Sequence, residues 1–476
     1  MVAQPNARLI QQACGVAAAA GFALLATRSP FLSAGIVLGL LVLAVTIWRP
    51  LMVVGLMMVG GVYSLSIVTG GFKSLFTELG GLDMNGIRLV CLCMGLGSVA
   101  LIDRRVTRVL FSRTALPYLL FVLFAAVTVL YSRSRLDGMR LLLKLGYPLL
   151  VFVTIAGIAR TREQAHSLIR WMLIGAAVIA VIVTPLSALS GGFAVDDSGI
   201  ERVLGPGIHQ NPFSFYLCIT LLTAVAVFAA GWGTRYLLLC GPLAIWIMMA
   251  LTRITLLGTL LGLIAMAAIW AVAARNVRLL AAVAVVGALL AIPMIPPVLE
   301  RTFGYVPGLG ELTTLLADPI DLYYMIDWQG RDRLWPIAFA LFLGSPWVGA
   351  GLGTTTVVLR ANVGADIGPV HNEYLRLLAE TGVAGTLLFV IALVWWGRLA
   401  VKTALSTEDA TTRALASAAL AGLVAWGVFS LTDNAFDYYS SFTQYVTAVL
   451  AAAVASSRLP SEHDLALETS GTHADR

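Results

Sequence analysis

The sequence has few charged residues. Asp, Glu, Lys and Arg make up 12% of its 476 residues and hydrophobic residues make up 59%, whereas an ordinary soluble domain has about 25% charged residues. This scarcity excludes a soluble globular protein. Apolar runs of about 17–22 residues recur along the chain, and each can cross a hydrocarbon core of about 30 Å as a helix. The composition therefore predicts an integral membrane protein.

Paired cysteine spacing is also lacking. All cysteines fall inside apolar runs, at Cys14, Cys91, Cys93, Cys218 and Cys240. This pattern indicates neither a disulfide framework nor a zinc site, and we expect no metal and no cofactor. The apolar runs are continuous and lack the alternation of a membrane β-barrel, so helices are the predicted architecture.

The apolar runs predict an all-α integral membrane protein, a polytopic helix bundle of about 12–14 transmembrane helices with one large periplasmic loop containing short helices. One membrane domain is predicted over 1–457, with the large loop at 298–371 and a disordered cytoplasmic tail at 458–476. The predicted spans are roughly 10–27, 31–48, 50–69, 86–102, 114–131, 141–159, 171–189, 212–230, 237–251, 254–273, 279–297, 383–399, 414–431 and 442–457.

Arginine-rich connections predict the orientation. The segments DRRVTR (103–108), RTREQAHSLIR (160–170), ARNVR (274–278) and GRLAVK (397–402) all fall on one side of the predicted bundle. The positive-inside rule makes that side the cytoplasm. Both termini are then cytoplasmic, and the longer segments face the periplasm of a bacterial inner membrane.

Arginines also occur on the opposite, outer side, at Arg202, Arg253 and Arg331. Arg253 stands alone between two apolar runs, where a charge costs about 2.5–3.5 kcal/mol at the centre of a membrane helix. One interpretation is that these arginines converge on an anionic ligand, because a guanidinium matches phosphate oxygens. The other is that Arg253 extends its head group to the membrane interface.

The stretch GPVHNEYLRLLAETGVAG (368–385) has the pattern of a helix start. Pro369 ends the preceding segment, Asn372 can cap the helix, and the helical pattern runs to Gly382. His371 lies at the N-terminal end, where the helix dipole favours a neutral imidazole. Such an imidazole can accept a proton. The alternative is that it is only a cap or interface residue.

The same helix is predicted to be amphipathic and to lie at the outer membrane interface. Glu373, Arg376 and Glu380 share one face at spacings of three and four. Asn372 and Tyr374 are candidate acceptor contacts, with capping and interfacial anchoring as the alternatives. Glu373 is a weak candidate for orienting the histidine, because residues two apart on a helix point in different directions.

Two further outer segments carry polar or flexible residues. QGRDRLWPIAFALFLGSPWVGAGLGTTT (329–356) supplies Arg331 and a glycine-rich turn, whose open backbone either approaches a ligand or makes a tight bend. LTDNAFDYYSS (431–441) combines carboxylates with aromatics, which suits either sugar binding or an ordinary interface. Its candidate residues are Asp433, Asp437, Tyr438 and Tyr439.

The segments GRDRLWPIAFALFLGSPWVGAGLGT and HNEYLRLLAETGVAG resemble the signature region of the O-antigen ligase and polymerase family, membrane glycosyltransferases of the bacterial envelope. The resemblance spans 329–385: a Gly-Arg…Trp segment and a glycine-rich turn precede the pair His371–Asn372, which is followed by Gly382 and Gly385. Upstream, RVLGPGIHQNPFSFYL and LTRITLLGTLLGL are similar to two further family segments, with threonine in place of serine before Arg253.

This resemblance implies a donor glycan on undecaprenyl diphosphate and a glycan or lipid A–core acceptor, joined by a metal-independent, inverting displacement. Membrane lipids and other polysaccharide assembly proteins are further expected partners, and nucleic acid is not. The implied catalytic residues are His371, Arg253 and Arg331. The implied substrate-binding residues are Arg202, Asn211, Asn372, Glu373 and Tyr374.

Other functions remain open at this point. A polymerase that joins lipid-linked repeat units of O-antigen, capsule or exopolysaccharide shares the signature with a ligase. A transporter or flippase of an anionic lipid-linked substrate would have broken helices and paired repeats, and the sequence has no such repeat. A non-catalytic partner in polysaccharide assembly is the third alternative.

Overall fold

The structure is a computed structural model. It describes residues 44–46, 48–60, 84–190, 193–195, 201–203, 210–273, 295–318, 325–326, 328, 330–364 and 369–460. The predicted span 10–27 lies outside these residues, as do most of 31–48, 279–297 and the predicted tail 458–476.

The described residues form an all-α membrane protein. The helices are α1 Pro50–Gly60, α2 Met84–Ile102, α3 Arg104–Leu110, α4 Leu116–Val129, α5 Arg135–Ile158, α6 Arg162–Val178, α7 Thr184–Leu189, α8 Gln210–Ala229, α9 Thr234–Met249, α10 Arg253–Ala273, α11 Ile295–Phe303, α12 Leu309–Ala317, α13 Arg331–Gly344, α14 Thr354–Val363, α15 Glu373–Ser406, α16 Ala410–Phe429 and α17 Gln444–Ser456. A π-helical turn, Ile179–Val183, joins α6 to α7.

Six helices of the described chain are long and apolar enough to cross a membrane. They are α5, the continuous α6–α7 helix, α8, α10, α15 and α16. The shorter apolar helices are α1, residues 89–102 of α2, α4 and α9. The predicted polytopic all-α fold is therefore confirmed.

Helix α5 begins earlier than its apolar run predicted. The span was expected at 141–159, but the helix starts at Arg135 because the side chain of Ser134 caps it and accepts a hydrogen bond from the Asp137 amide. A polar first turn is invisible to a criterion based on apolar run length.

The sequence analysis did not anticipate two short strands. Strand β1, Phe193–Val195, pairs antiparallel with β2, Glu201–Val203, in the segment before α8. The backbone of Arg202 pairs with Ala194.

Helix α16 lies at the centre of the bundle and packs against α8, α10, α15 and α17. It is rich in alanine and glycine, and small residues let membrane helices approach closely. A Cβ added at Gly258 of α10 would lie 2.3 Å from the Phe429 ring, and one at Gly422 would lie 2.6 Å from Ile219 of α8. These close contacts fix how the helices that carry the site residues are arranged.

The bundle has two distinguishable ends. We call the end formed by the first turns of α8, α10, α13 and α15 and by residues 430–443, between α16 and α17, the site end. The opposite end contains the arginines of α3, the start of α6 and the connection from α15 to α16. There, for example, the Arg162 Nε donates to the Leu459 carbonyl and the Trp396 Nε1 donates to the Thr114 carbonyl.

Helix α15 merges two predicted elements. The sequence analysis separated an interfacial helix ending at Gly382 from a span at 383–399, but both belong to Glu373–Ser406. The chain is nevertheless broken at Gly382, whose φ of 65° and ψ of −171° are not helical. A break of this kind leaves backbone groups unpaired inside a membrane, where each must find another partner.

The glycine-rich turn supplies those partners. The amides of Ala350 and Gly351 donate to the carbonyls of α15 residues 379 and 380, at 2.8 and 3.0 Å. The carbonyls of Pro346 and Trp347 accept from the amides of residues 383 and 384, at 2.8 and 3.1 Å. Of the two interpretations of this turn, the structure supports the tight bend, and its backbone is engaged by α15.

Candidate functional site

His371 precedes α15 at the site end. Its φ of 52° places it in the left-handed region, which costs a residue with a Cβ about 1–2 kcal/mol. Two contacts hold it there: the Trp335 Nε1 donates to the carbonyl of Val370, and the Asn372 side chain caps α15 by accepting from the Leu375 amide. The predicted cap at Asn372 is thus confirmed. The histidine side chain is 28% exposed.

The carboxylate of Asp433 lies against the histidine ring. The His371 Nδ1 is 3.2 Å from the Asp433 Oδ1, although 62 residues separate the two in sequence. Asp433 is 1% exposed, so the carboxylate is buried while the histidine ring is partly exposed. Because Nδ1 faces a carboxylate, we assign the proton to Nδ1, which leaves Nε2 as the acceptor.

Three other donors complete the surroundings of this carboxylate. The Asn211 Nδ2 donates to Oδ2 at 2.6 Å, and the Tyr438 hydroxyl donates to Oδ1 at 3.0 Å. The backbone amide of Asn434 donates to Oδ1 at 2.9 Å. Burial, followed by the charge of Asp433, raises the pKa of Tyr438 well above its ordinary value. The phenol therefore stays protonated and remains a donor.

Arg331 begins α13 directly after Gly330, whose φ is 79°. Its Nε and Nη2 donate to the Thr432 carbonyl at 3.3 and 3.1 Å, and its Nη1 donates to the Trp328 carbonyl at 3.2 Å. Thr432 is the residue before Asp433. Arg331 therefore lies beside the His–Asp pair and also fixes the segment that carries the aspartate.

Arg253 begins α10, two residues after Leu251, which also has a positive φ of 46°. Its Nη1 donates to the Thr302 hydroxyl of α11 at 2.9 Å. Thr255, two residues along α10, shares a hydrogen bond of 2.8 Å with Ser214, one turn from Asn211 of α8. This connection places Arg253 at the same end of the bundle as the His–Asp pair.

The expected cluster of three arginines and a histidine is partly assembled. Arg331 and His371 converge on residues 432–433, whereas Arg253 lies at the same end of the bundle and binds Thr302. The side chain of Arg202 lies outside the described residues, and only its position on β2 is defined.

Glu373 and Tyr374 point into the protein. Glu373 is fully buried and its carboxylate forms a two-point ion pair with Arg376 of the same helix. The Tyr374 hydroxyl donates to the Gly427 carbonyl of α16 at 3.0 Å. The charged face of this amphipathic helix is thus its buried face, and the residue that orients the histidine ring is Asp433, not Glu373.

Sequence reasoning noted Asp433 only as one of several candidates for sugar binding. Its pairing with His371 and Asn211 depends on helices that meet through tertiary packing, so no local pattern could reveal it. The available signal was a short polar segment between two apolar spans on the side that also holds the histidine.

The comparisons with known proteins bear on the same region. A family model described as O-antigen ligase matches residues 236–390, about a third of the chain. The match includes Arg253, Arg331 and His371, whereas Asn211 and Asp433 lie outside it. The comparison with curated proteins found no match. The resemblance to this family is thereby confirmed: residues 236–390 are similar to the O-antigen ligase family, within a polytopic membrane protein.

Proposed function

We propose that the chain transfers a glycan from undecaprenyl diphosphate to an acceptor sugar hydroxyl at the periplasmic face of the bacterial inner membrane. The observation that carries the proposal is the His371–Asp433 pair, a partly exposed imidazole against a buried carboxylate at one end of a membrane bundle. The family match supports glycan transfer as the general reaction.

The proposed orientation follows from charge. Several arginines lie at the end opposite the site, and the positive-inside rule makes that end cytoplasmic. They are Arg104, Arg105 and Arg108 of α3, Arg162 of α6, Arg398 of α15 and Arg413 of α16. The site end then faces the periplasm, and both termini lie in the cytoplasm.

In the proposed reaction His371 is the general base. A sugar hydroxyl is a weak nucleophile, and a base that takes its proton in the transition state accelerates attack. The acceptor proton moves to Nε2 of His371 while the acceptor oxygen bonds to the anomeric carbon. The bond from that carbon to the diphosphate oxygen breaks, so a single displacement inverts the anomeric centre. Asp433 stabilises the imidazolium that results.

The leaving undecaprenyl diphosphate carries negative charge. Arg331 and Arg253 are the proposed diphosphate ligands, with Arg202 as the third, because guanidinium groups bind phosphate oxygens in pairs of hydrogen bonds. Asn211 and Asn372 remain candidates for contacts with the sugars. Tyr374, whose hydroxyl donates to the Gly427 carbonyl, is assigned to helix packing instead. The carboxylate of Glu373 is buried, so its proposed role is to hold residues 430–436, which include Asp433, in place.

A transporter is the less favoured reading. Transporters use broken helices whose free backbone groups line a substrate cavity, and α15 is indeed broken at Gly382. The backbone groups freed there bind residues 346–351 of the glycine-rich turn. The break is thus filled by protein.

The test is complementation in a bacterial strain that lacks the chain. Wild type, His371→Ala and Arg253→Ala are expressed at matched membrane levels, with Lys402→Ala, at the opposite end of α15, as the control. We expect wild type and control to restore long surface glycan, while both site variants fail and lipid-linked donor accumulates. The acceptor of the restored glycan, lipid A–core or another repeat unit, distinguishes ligase from polymerase. Full activity of His371→Ala would refute the proposed mechanism.

A further inference from the structure

Beside the His–Asp pair lies a network of four charged side chains from three parts of the chain. Lys144 of α5 and Arg376 of α15 each bind one oxygen of Asp437, at 2.6 and 3.0 Å. Arg376 also binds both oxygens of Glu373. The two cations and two anions balance. Although burial opposes ionisation, the charges of Lys144 and Arg376 lower the pKa of Asp437 to about 2.

Stability alone does not explain this network. Glu373 is fully buried and Arg376 is 6% exposed at its side chain, and removing such charges from water costs about as much as their attraction returns. Apolar residues of similar size would hold the helices together at least as well. A buried ionic network is better suited to fixing one particular geometry, because its hydrogen bonds are directional.

The network fixes the position of residues 430–437, the segment that carries Asp433. The Glu373 amide donates to the carbonyls of Ser430 and Asp433, at 2.8 and 3.2 Å. The Glu373 Oε2 accepts from the Phe436 amide at 3.2 Å. These anchors, together with the carboxylate of Asp437, hold the chain on both sides of the Asp433 side chain.

Lys144 provides the link to a third helix. It lies nine residues into α5, about 13 Å along the helix from Arg135, and is one of the chain's few lysines, the others being Lys73 and Lys402. Without Lys144 the network would have one cation for two anions, and Asp437 would lose its short contact with α5. Residues 430–437 could then shift toward α15, which would move Asp433 relative to the histidine.

We propose that Lys144 and Asp437, acting with Arg376 and Glu373, are positioning residues that hold Asp433 against His371. This inference rests on the proposed function. It assigns to the network no contact with substrate. Its effect falls on the chemical step, because a base displaced by about 1 Å can cost two orders of magnitude in rate while binding is kept.

The experiment measures steady-state transfer by purified full-length protein in nanodiscs. The probe is the lipid-linked glycan fraction extracted from cells that lack the chain. The variants are Lys144→Met, Lys144→Arg and Asp437→Asn, with His371→Ala for the proposed function. Lys402→Met is the matched control, because it makes the same change at an exposed lysine far from the site.

We expect Lys144→Met and Asp437→Asn to lower kcat at least ten-fold with KM within two-fold of wild type. Lys144→Arg, which restores the charge, should regain at least half of the wild-type kcat, and Lys402→Met should match wild type. Wild-type kcat in Asp437→Asn or Lys144→Met, a loss confined to KM, or equal losses in the Met and Arg variants would each overturn the inference.

Failure of the positioning role and failure of the proposed function give different results. Should Asp437→Asn fail to fold, the two Lys144 variants, which retain the Arg376–Asp437 pair, decide the question. Activity of His371→Ala equal to wild type would instead reject the proposed function. If His371→Ala is inactive while the network variants are fully active, the proposed function stands and the positioning role is rejected.

Discussion

The charge of Asp433 gives the strongest prediction. Its Oδ1 lies 3.2 Å from the His371 Nδ1, and two unit charges at that distance interact by about 5 kcal/mol at an effective dielectric constant of about 20. A proton half transferred in the transition state realises roughly half of this, or about 100-fold in rate. We therefore expect Asp433→Asn to lower kcat by about 100-fold to 1,000-fold.

The loss should appear in kcat and leave KM nearly unchanged. In the proposed mechanism the ring acts as a base and gains its charge during the reaction, so the interaction with the carboxylate strengthens only as the proton arrives. Asparagine has nearly the same shape as aspartate. The Asn211 amide can rotate to present its oxygen to the new amide group, which keeps the surroundings paired. The rate loss therefore reports the missing charge.

The assay is transfer from extracted lipid-linked donor by the purified variants, with thermal unfolding as the folding check. Asp409→Asn is the control, because that carboxylate caps α16 at the opposite end and asparagine also caps helices. An Asp433→Asn variant that folds and keeps kcat within three-fold of wild type would refute the assignment of His371 as a base oriented by Asp433.

Other predictions concern residues around the site. Arg331→Lys should lower kcat at least ten-fold in the same assay, because lysine cannot present the paired donors that hold the Thr432 carbonyl. Gly353→Ala should destabilise the fold by at least about 3 kcal/mol in thermal unfolding, since its φ is 84° and a Cβ would lie 2.4 Å from a backbone nitrogen of α5, whereas Gly344→Ala meets open space and should be neutral. The pKa of Asp437 falls from 3.8 to about 2 on folding. Above pH 4, wild type should therefore be more stable than Asp437→Asn by about 1–2 kcal/mol. This value is reduced for solvent screening, because a fifth of the Asp437 side chain is exposed. That difference should fall as the pH drops from 4 through 2, because the carboxylate then becomes protonated in the folded state as well.

Much of the fold was predictable because lipid imposes it. A membrane core permits few structures, so long apolar runs translate directly into helices such as α8 and α16. The ends of helices were less predictable: α5 starts with a polar turn that the apolar pattern does not include. The break in α15 was signalled by Gly382, but its repair by the glycine-rich turn depends on contacts between distant segments.

The candidate site divides in the same way. Local sequence patterns identified the histidine, its capping Asn372 and the isolated arginines, because caps and isolated charges are properties of neighbouring residues. The buried face of the first turn of α15 was not predictable. An amphipathic pattern shows which residues share a face, and only packing decides whether that face meets water or the bundle interior.

The sequence by itself determined that the chain lies in a membrane, that it is helical, and which side chains are available for chemistry. Its low charge placed the chain in a bilayer, and its resemblance to a glycosyltransferase family pointed to His371. Only the tertiary structure decided which carboxylate serves that histidine. Asp433 reaches it because α16 ends beside the start of α15, where the Glu373 amide and the Arg331 guanidinium hold residues 430–433 in place. Such partners are far apart in sequence, and they meet only when the helices have packed.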